Sequence, residues 1–188
     1  MIIGKSKKEL DKMRAAGRLV GQVREHLRSM VKPGITTLEI DRVAEKMIRD
    51  AGALPTFKGY NGFPYSICAS VNEQIVHGFP SNYALKEGDI FSIDCGVTLE
   101  GFVGDTATTV PVGEVDEEKL KLIRVTEECL ERAIQKCRAG NHPGPRGRTA
   151  EAYRRTRGKA CGRSSGSHPN PCQGARRCPC SSSRAWRR

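Results

Sequence analysis

No stretch of this 188-residue chain carries the roughly 20 consecutive apolar residues that cross a bilayer. The opening MIIGKSKKELDKM lacks the apolar h-region and cleavage site of a secretory signal. These absences lead to the expectation of a cytoplasmic protein with no membrane partner. The final 48 residues lack more: they contain no Val, Ile or Leu and one acidic residue, Glu151, against 12 basic ones. Such a segment gains almost nothing by burial to set against the entropy of ordering it, so residues 141–188 are expected to form a basic tail of low order. The tail also lacks paired C-x-x-C elements, which makes Cys161, Cys172, Cys178 and Cys180 a poor case for a zinc module.

The whole excess of +11 lies in that tail, because residues 1–140 hold 20 basic and 20 acidic side chains. The high pI therefore says little about the body, and RNA contact is expected only through the tail, where Tyr153 and Trp186 are the aromatics and no RNA-binding motif occurs. The Arg, Gly, Pro, Ser and Cys composition after about Asn141 also resembles translation in a wrong reading frame, and a frameshift near residues 141–146 would explain the abrupt change.

The body is patterned. Ser6 and Glu9 form a capping-box signature, followed by Leu10, Met13, Gly17, Val20, Leu27 and Met30 at helical spacing until Pro33-Gly34. Thr36 and Glu39 repeat the signature ahead of Ile40, Val43, Ala44, Met47, Ile48 and Ala51, with Gly52 as the stop. From Thr56 the texture changes to short β-prone runs, FKGYNGFPYSICASV, EQIVHGFP, DIFSIDCGV and GFVGDTATTVPVG. Asp116 can then cap a third helix carrying Leu120, Ile123, Leu130, Ile134 and Cys137 on one stripe. An antiparallel sheet flanked by helices, class α+β, follows. Cys68, Cys95, Cys129 and Cys137 read as small buried thiols.

Within SIDCGVTLEGFVGDTATT, Asp94 and Asp105 lie in two strand-like runs with a turn signal between them. A hairpin centred between Leu99 and Glu100 pairs them directly on one face, and opposed like charges at roughly 4.5–5.5 Å between Cβ atoms need a shared proton or a cation. A divalent metal fits best. The common fate of such residues is solvation in a turn, but Phe91, Ile93, Cys95 and Val97 are too apolar a setting for that, and Gly104 permits close backbone approach to a ligand. His77, in VNEQIVHGFP, is by itself most often a surface or structural residue. Near two aspartates it becomes a candidate ligand or hydrogen-bond donor to a substrate carbonyl.

The string YNGFPYSICASVNEQIVHGFP, with LKEGDIFSIDCGVTLEGFVGDTATT after it, closely resembles the type I methionine aminopeptidases of the pita-bread metallopeptidase superfamily, from about residue 3 to about residue 140. The resemblance implies the N-terminal half of that domain over residues 1–140 and two divalent ions, cobalt, manganese, iron or zinc, with Asp94 and Asp105 as the first ligands and Asp105 bridging. It implies substrate contact by His77 and a methionine pocket around Phe57, Tyr60, Phe63 and Cys68. The implied reaction is hydrolytic removal of the initiator methionine from nascent chains whose second residue is small, near the ribosome. From spacing alone the aromatics are better read as ordinary core.

The chain departs from the family in one respect. The family completes its site with a histidine in a GHGIG-like element and two glutamates on later strands, whereas His142, His168 and Glu151 sit in contexts that match none of these. Little or no aminopeptidase activity is therefore expected of this polypeptide as written, together with poor solubility from uncovered sheet edges and helix faces. The rival readings are a non-catalytic remnant that binds peptide or ribosome with an RNA-contacting tail, and a proline-specific pita-bread peptidase, against which the short N-terminal region argues.

Overall fold

The computed structural model describes residues 4–140; the expected tail, with its frameshift, its cysteine module and its RNA contact, lies outside them. Among the described residues, those up to Glu131 form one compact unit. Helix α1 spans Lys7–Met30 and α2 spans Thr37–Asp50, and both start at the expected capping boxes, Ser6 with Glu9 and Thr36 with Glu39. Each box satisfies two backbone donors that the first turn would leave open. Gly52, just past the end of α2, has φ 72°, the left-handed conformation that glycine adopts without steric cost.

Strands β1 (Leu54–Pro55), β2 (Ile67–Val71), β3 (Ile90–Leu99) and β4 (Phe102–Pro111) form one antiparallel sheet, in which β1 and β2 lie on one side of β3 and β4 on the other. Alternation along β3 separates its two faces. Phe91, Ile93, Cys95 and Val97 are fully buried with Val20, Val23 and Leu27 of α1 and Ile40, Ala44 and Ile48 of α2. Burial of each large apolar side chain stabilises the unit by about 1.5–3 kcal/mol relative to exposure. Ser92, Asp94, Gly96 and Thr98 occupy the opposite face. Helix α3, Glu117–Gln135, starts where the Asp116 carboxylate accepts from the Lys119 N–H at 2.9 Å, and none of its residues is buried.

Several local expectations are corrected. EQIVHGFP forms no strand: it lies in the long loop between β2 and β3, with Ile75 89% exposed and Val76 and Phe79 also in solvent. FKGYNG gives a short 3-10 turn at Tyr60–Gly62 rather than extended chain. Leu10 and Met13 lie outside the core that the rest of the α1 stripe builds. Cys68 and Cys95 are buried as expected, but Cys137 is exposed and Cys129 half-buried.

The hairpin register also differs. Leu99 pairs with Phe102 around a two-residue turn, Glu100-Gly101, both with positive φ. That turn geometry matches the right-handed twist of the flanking strands, and glycine suits its second position. Asp94 is therefore opposite Ala107, and Asp105 opposite Gly96. A slip of one residue along a strand would have moved an aspartate to the core face, whereas the observed offset of two keeps both on the same face as diagonal neighbours.

Candidate functional site

The hairpin brings Asp94 and Asp105 to the face of the sheet away from α1 and α2. Around them on this face stand Cys68, the cross-strand partner of Asp94 in β2, and two hydroxyl pairs, Ser92 with Thr109 at 2.8 Å and Thr56 with Thr98 at 2.9 Å. Gly96 leaves room for an aromatic ring: a Cβ there would sit 2.8 Å from Cε1 of Phe57. Phe57 thus lies over the ladder position that faces Asp105.

Gly104 has a different role from the one expected. A Cβ at this position would come within 2.5 Å of the Ala16 carbonyl oxygen and 3.0 Å of the Gly17 nitrogen, so the close approach is to the backbone of α1 on the core face. The glycine before Asp105 seats the helix rather than a ligand.

Burial is the main cause that pushes the Asp94 carboxyl above the usual carboxylate range; the charge of Asp105 adds to it, and His77 acts in the opposite direction. Both Asp105 and His77 thus act electrostatically on the Asp94 carboxyl. Burial, then Asp94 and Asp105, push the Cys68 thiol up to about 12, so it is a protonated, weakly reactive group beside the carboxylates.

The remaining expected pocket residues are divided. Phe63 forms edge-to-face contacts with Tyr65 and Phe79, at centroid distances of 6.1 and 5.2 Å, and Tyr65 meets Phe79 at 5.8 Å. Tyr60 sits in the 3-10 turn with its ring in solvent and is not part of that cluster. Tyr65 and Phe79 were missed; their place beside Phe63 required a loop closure that no local pattern encodes.

Two buried acids also escaped notice. Asp41, only 4% exposed, accepts at Oδ1 from the Ser66 and Ile67 N–H groups at 2.8 and 3.0 Å, which ties α2 to the start of β2. A signal existed: Asp41 falls three and seven residues before the buried Ala44 and Ile48, inside the apolar stripe of α2. Asp89 closes the base of the long loop, accepting from the Asn72 amide at 2.8 Å, the Tyr83 hydroxyl at 2.9 Å and the Lys86 N–H at 2.9 Å. Burial alone would push Asp89 up, but these donors together hold it below the usual carboxylate range.

A family model for metallopeptidase family M24 matches residues 11–169. The chain belongs to this family. A methionine aminopeptidase of Clostridium perfringens is 53% identical over 141 residues, covering 75% of this chain and 57% of that protein. Methionine aminopeptidase 1 of Bacillus subtilis is 51% identical over 140 residues, covering 74% and 56%. The crystal structure of methionine aminopeptidase from Rickettsia prowazekii superposes with a TM-score of 0.81 at 36% identity, over 83% of this chain and 63% of that one. The α+β pita-bread fold expected from the sequence is the fold they share, and this M24 chain spans little more than half the length of the curated relatives it matches.

M24 membership implies divalent metal ions. The donors present fit part of such a site: two hard carboxylate oxygen sources on one face, with the Asp94 carboxyl raised first by burial and then by the charge of Asp105. They do not close one, since no group of three or more His, Cys, Asp and Glu side chains is arranged to hold a metal among the described residues.

Proposed function

We propose that the M24 body of this chain serves metal-dependent hydrolytic removal of the N-terminal methionine from nascent proteins, and that residues 1–188 alone have little or no such activity. The observation that carries the reading is the placement of Asp94 and Asp105 on one open sheet face with His77 acting on the same carboxylate, in a chain about half identical to methionine aminopeptidases over some 140 residues. That length supports a body of residues 1–140 followed by a tail, although the family model runs on to residue 169. The cytoplasm, where nascent chains emerge, is the compartment this reading assigns; no described helix is long and apolar enough to cross a membrane.

In this reading Asp94 and Asp105 would hold the divalent cations, cobalt, manganese, iron or zinc. The bound ions supply Lewis-acid polarisation of the scissile carbonyl and a more acidic water. His77 donates a hydrogen bond to the oxygen on which negative charge develops, or to the departing amide. Phe57, Tyr60, Phe63 and Cys68 receive the methionine side chain, whose flexible thioether is well held by aromatic edges.

The test joins residues 1–140 in frame to the remaining C-terminal part of the Bacillus subtilis relative and follows methionine release from Met-Ala-Ser with manganese or cobalt supplied. Release by the chimaera, lost in Asp105→Ala and in His77→Ala, is the expected result. A folded chimaera that releases nothing would remove the functional reading. Robust release by the unaided 188-residue chain would overturn the inactivity.

A further inference from the structure

His77 stands in the long loop with φ 58°, in the left-handed region that favours glycine and that other residues hold only when their surroundings fix them. Apolar packing does not fix it, because Ile75, Val76 and Phe79 around it are all mostly exposed. What holds it is the next residue. Gly78 accepts from the Ala69 N–H at 2.8 Å and donates its own N–H to the Ser70 Oγ at 3.1 Å, so both of its backbone groups are bound to β2. The contact is so close that a Cβ at Gly78 would lie 2.2 Å from the Ala69 oxygen and 2.9 Å from the Ser70 Cα, both backbone atoms that cannot yield separately.

The same stretch of β2 is registered against the metal-site strand. Cys68 pairs with Asp94, Ala69 with Ile93 and Ser70 with Ser92. Ser70 is 4% exposed, so its hydroxyl is a built part of the fold and not a surface group that happens to be near. At the base of the loop, the Asn72 N–H donates to the Ile90 carbonyl at 2.9 Å and the Ile90 N–H to the Asn72 Oδ1 at 3.1 Å, which closes the loop ends together.

We infer that the Ser70 hydroxyl and the Gly78 backbone form a clamp that fixes His77 against Asp94, which makes Ser70 a positioning residue of the site. The inference rests on the reading of Asp94, Asp105 and His77 as one centre. The His77 backbone is tied to the strand that carries Asp94 through a short path: β3 to β2 by the ladder, β2 to Gly78 by two hydrogen bonds, Gly78 to His77 by one peptide bond. Of these links, only the Ser70 hydroxyl is a side chain, and so only it can be removed without changing the backbone.

The test is solution NMR of the isotopically labelled 188-residue chain as wild type, Ser70→Ala and Ser70→Thr, first metal-free and then with Mn2+ as the paramagnetic probe. Without metal, wild type and Ser70→Thr are expected to show slow exchange of the Gly78 amide and a His77 coupling constant of a single left-handed conformer. In Ser70→Ala the exchange rises several-fold and the coupling averages, while Ile93 and Cys95 stay protected. With Mn2+, the amides of Gly96 and Ala107 broaden in all three proteins, and the His77 ring protons broaden several-fold less in Ser70→Ala. Unchanged Gly78 exchange and His77 coupling in Ser70→Ala, or no rescue by threonine, would overturn the clamp. If Mn2+ spares Gly96 and Ala107 in the wild type, the metal reading falls instead, and the metal-free measurements still decide the clamp. Should Ser70→Ala lose protection at Ile93, Ser70→Cys, of similar size with a weak acceptor, carries the same expectations.

Discussion

Asp94 and Asp105 are held by ten successive cross-strand pairs and by a helix pressed onto the back of their hairpin, whereas His77 is held by two hydrogen bonds and a missing Cβ. The hairpin cannot move its carboxylates without breaking the ladder, and the core beneath it resists that. The loop can open at the cost of a few contacts, so local opening there is far cheaper than global unfolding. The two carboxylates are thus set by a ladder and a core, and the His77 backbone by a clamp of two hydrogen bonds that releases at lower cost.

The comparison breaks most severely at Gly104. In Gly104→Val the side chain meets the α1 backbone, which has no rotamer to change, so α1 is displaced from β4; a loss of about 3 kcal/mol is expected in urea unfolding monitored by circular dichroism. Gly96→Ala, where the obstacle is the movable Phe57 ring, should cost clearly less. Replacement of either carboxylate, as Asp94→Ala or Asp105→Ala, should weaken whatever divalent affinity the chain has by about tenfold or more, some 1.4 kcal/mol, by calorimetric titration with Mn2+. His77→Ala should leave that affinity nearly unchanged, and an equal loss there would show that the loop is as much a part of the cation site as the hairpin.

Smaller effects sharpen the other side of the contrast. Gly78→Ala should change global stability by about 1 kcal/mol or less, yet speed amide exchange between residues 72 and 89, because only the loop is released. The smallest effect concerns acid. Asp89 has a depressed pKa in the folded chain, so its contribution to stability is present above the unfolded carboxyl value and is lost as pH falls through the folded one. Amide exchange in the loop should therefore accelerate on acidification before the hairpin responds, and Asp89→Asn should remove that difference. Simultaneous acceleration in hairpin and loop would refute the separation.

Much of this was legible in the residues. Both capping boxes, the Asp116 cap and the apolar stripe of α2 are local patterns, and the structure follows them. The strand reading of EQIVHGFP failed because the left-handed φ of His77 interrupts the extended run just before Gly78 meets the outer edge of β2. The role of Gly104 was misread because a glycine reports only that something approaches closely; the partner was Ala16, far away in sequence.

The alternation of the two strands by itself determined that Asp94 and Asp105 share a face, since a register offset of two preserves the parity of side-chain direction. It could not fix which residues oppose them, because that depends on the positive φ angles of Glu100 and Gly101. Nor could it seat the loop that carries His77: Gly78 settles on Ala69 and Ser70 of β2, a contact between segments whose fit only the folded chain decides.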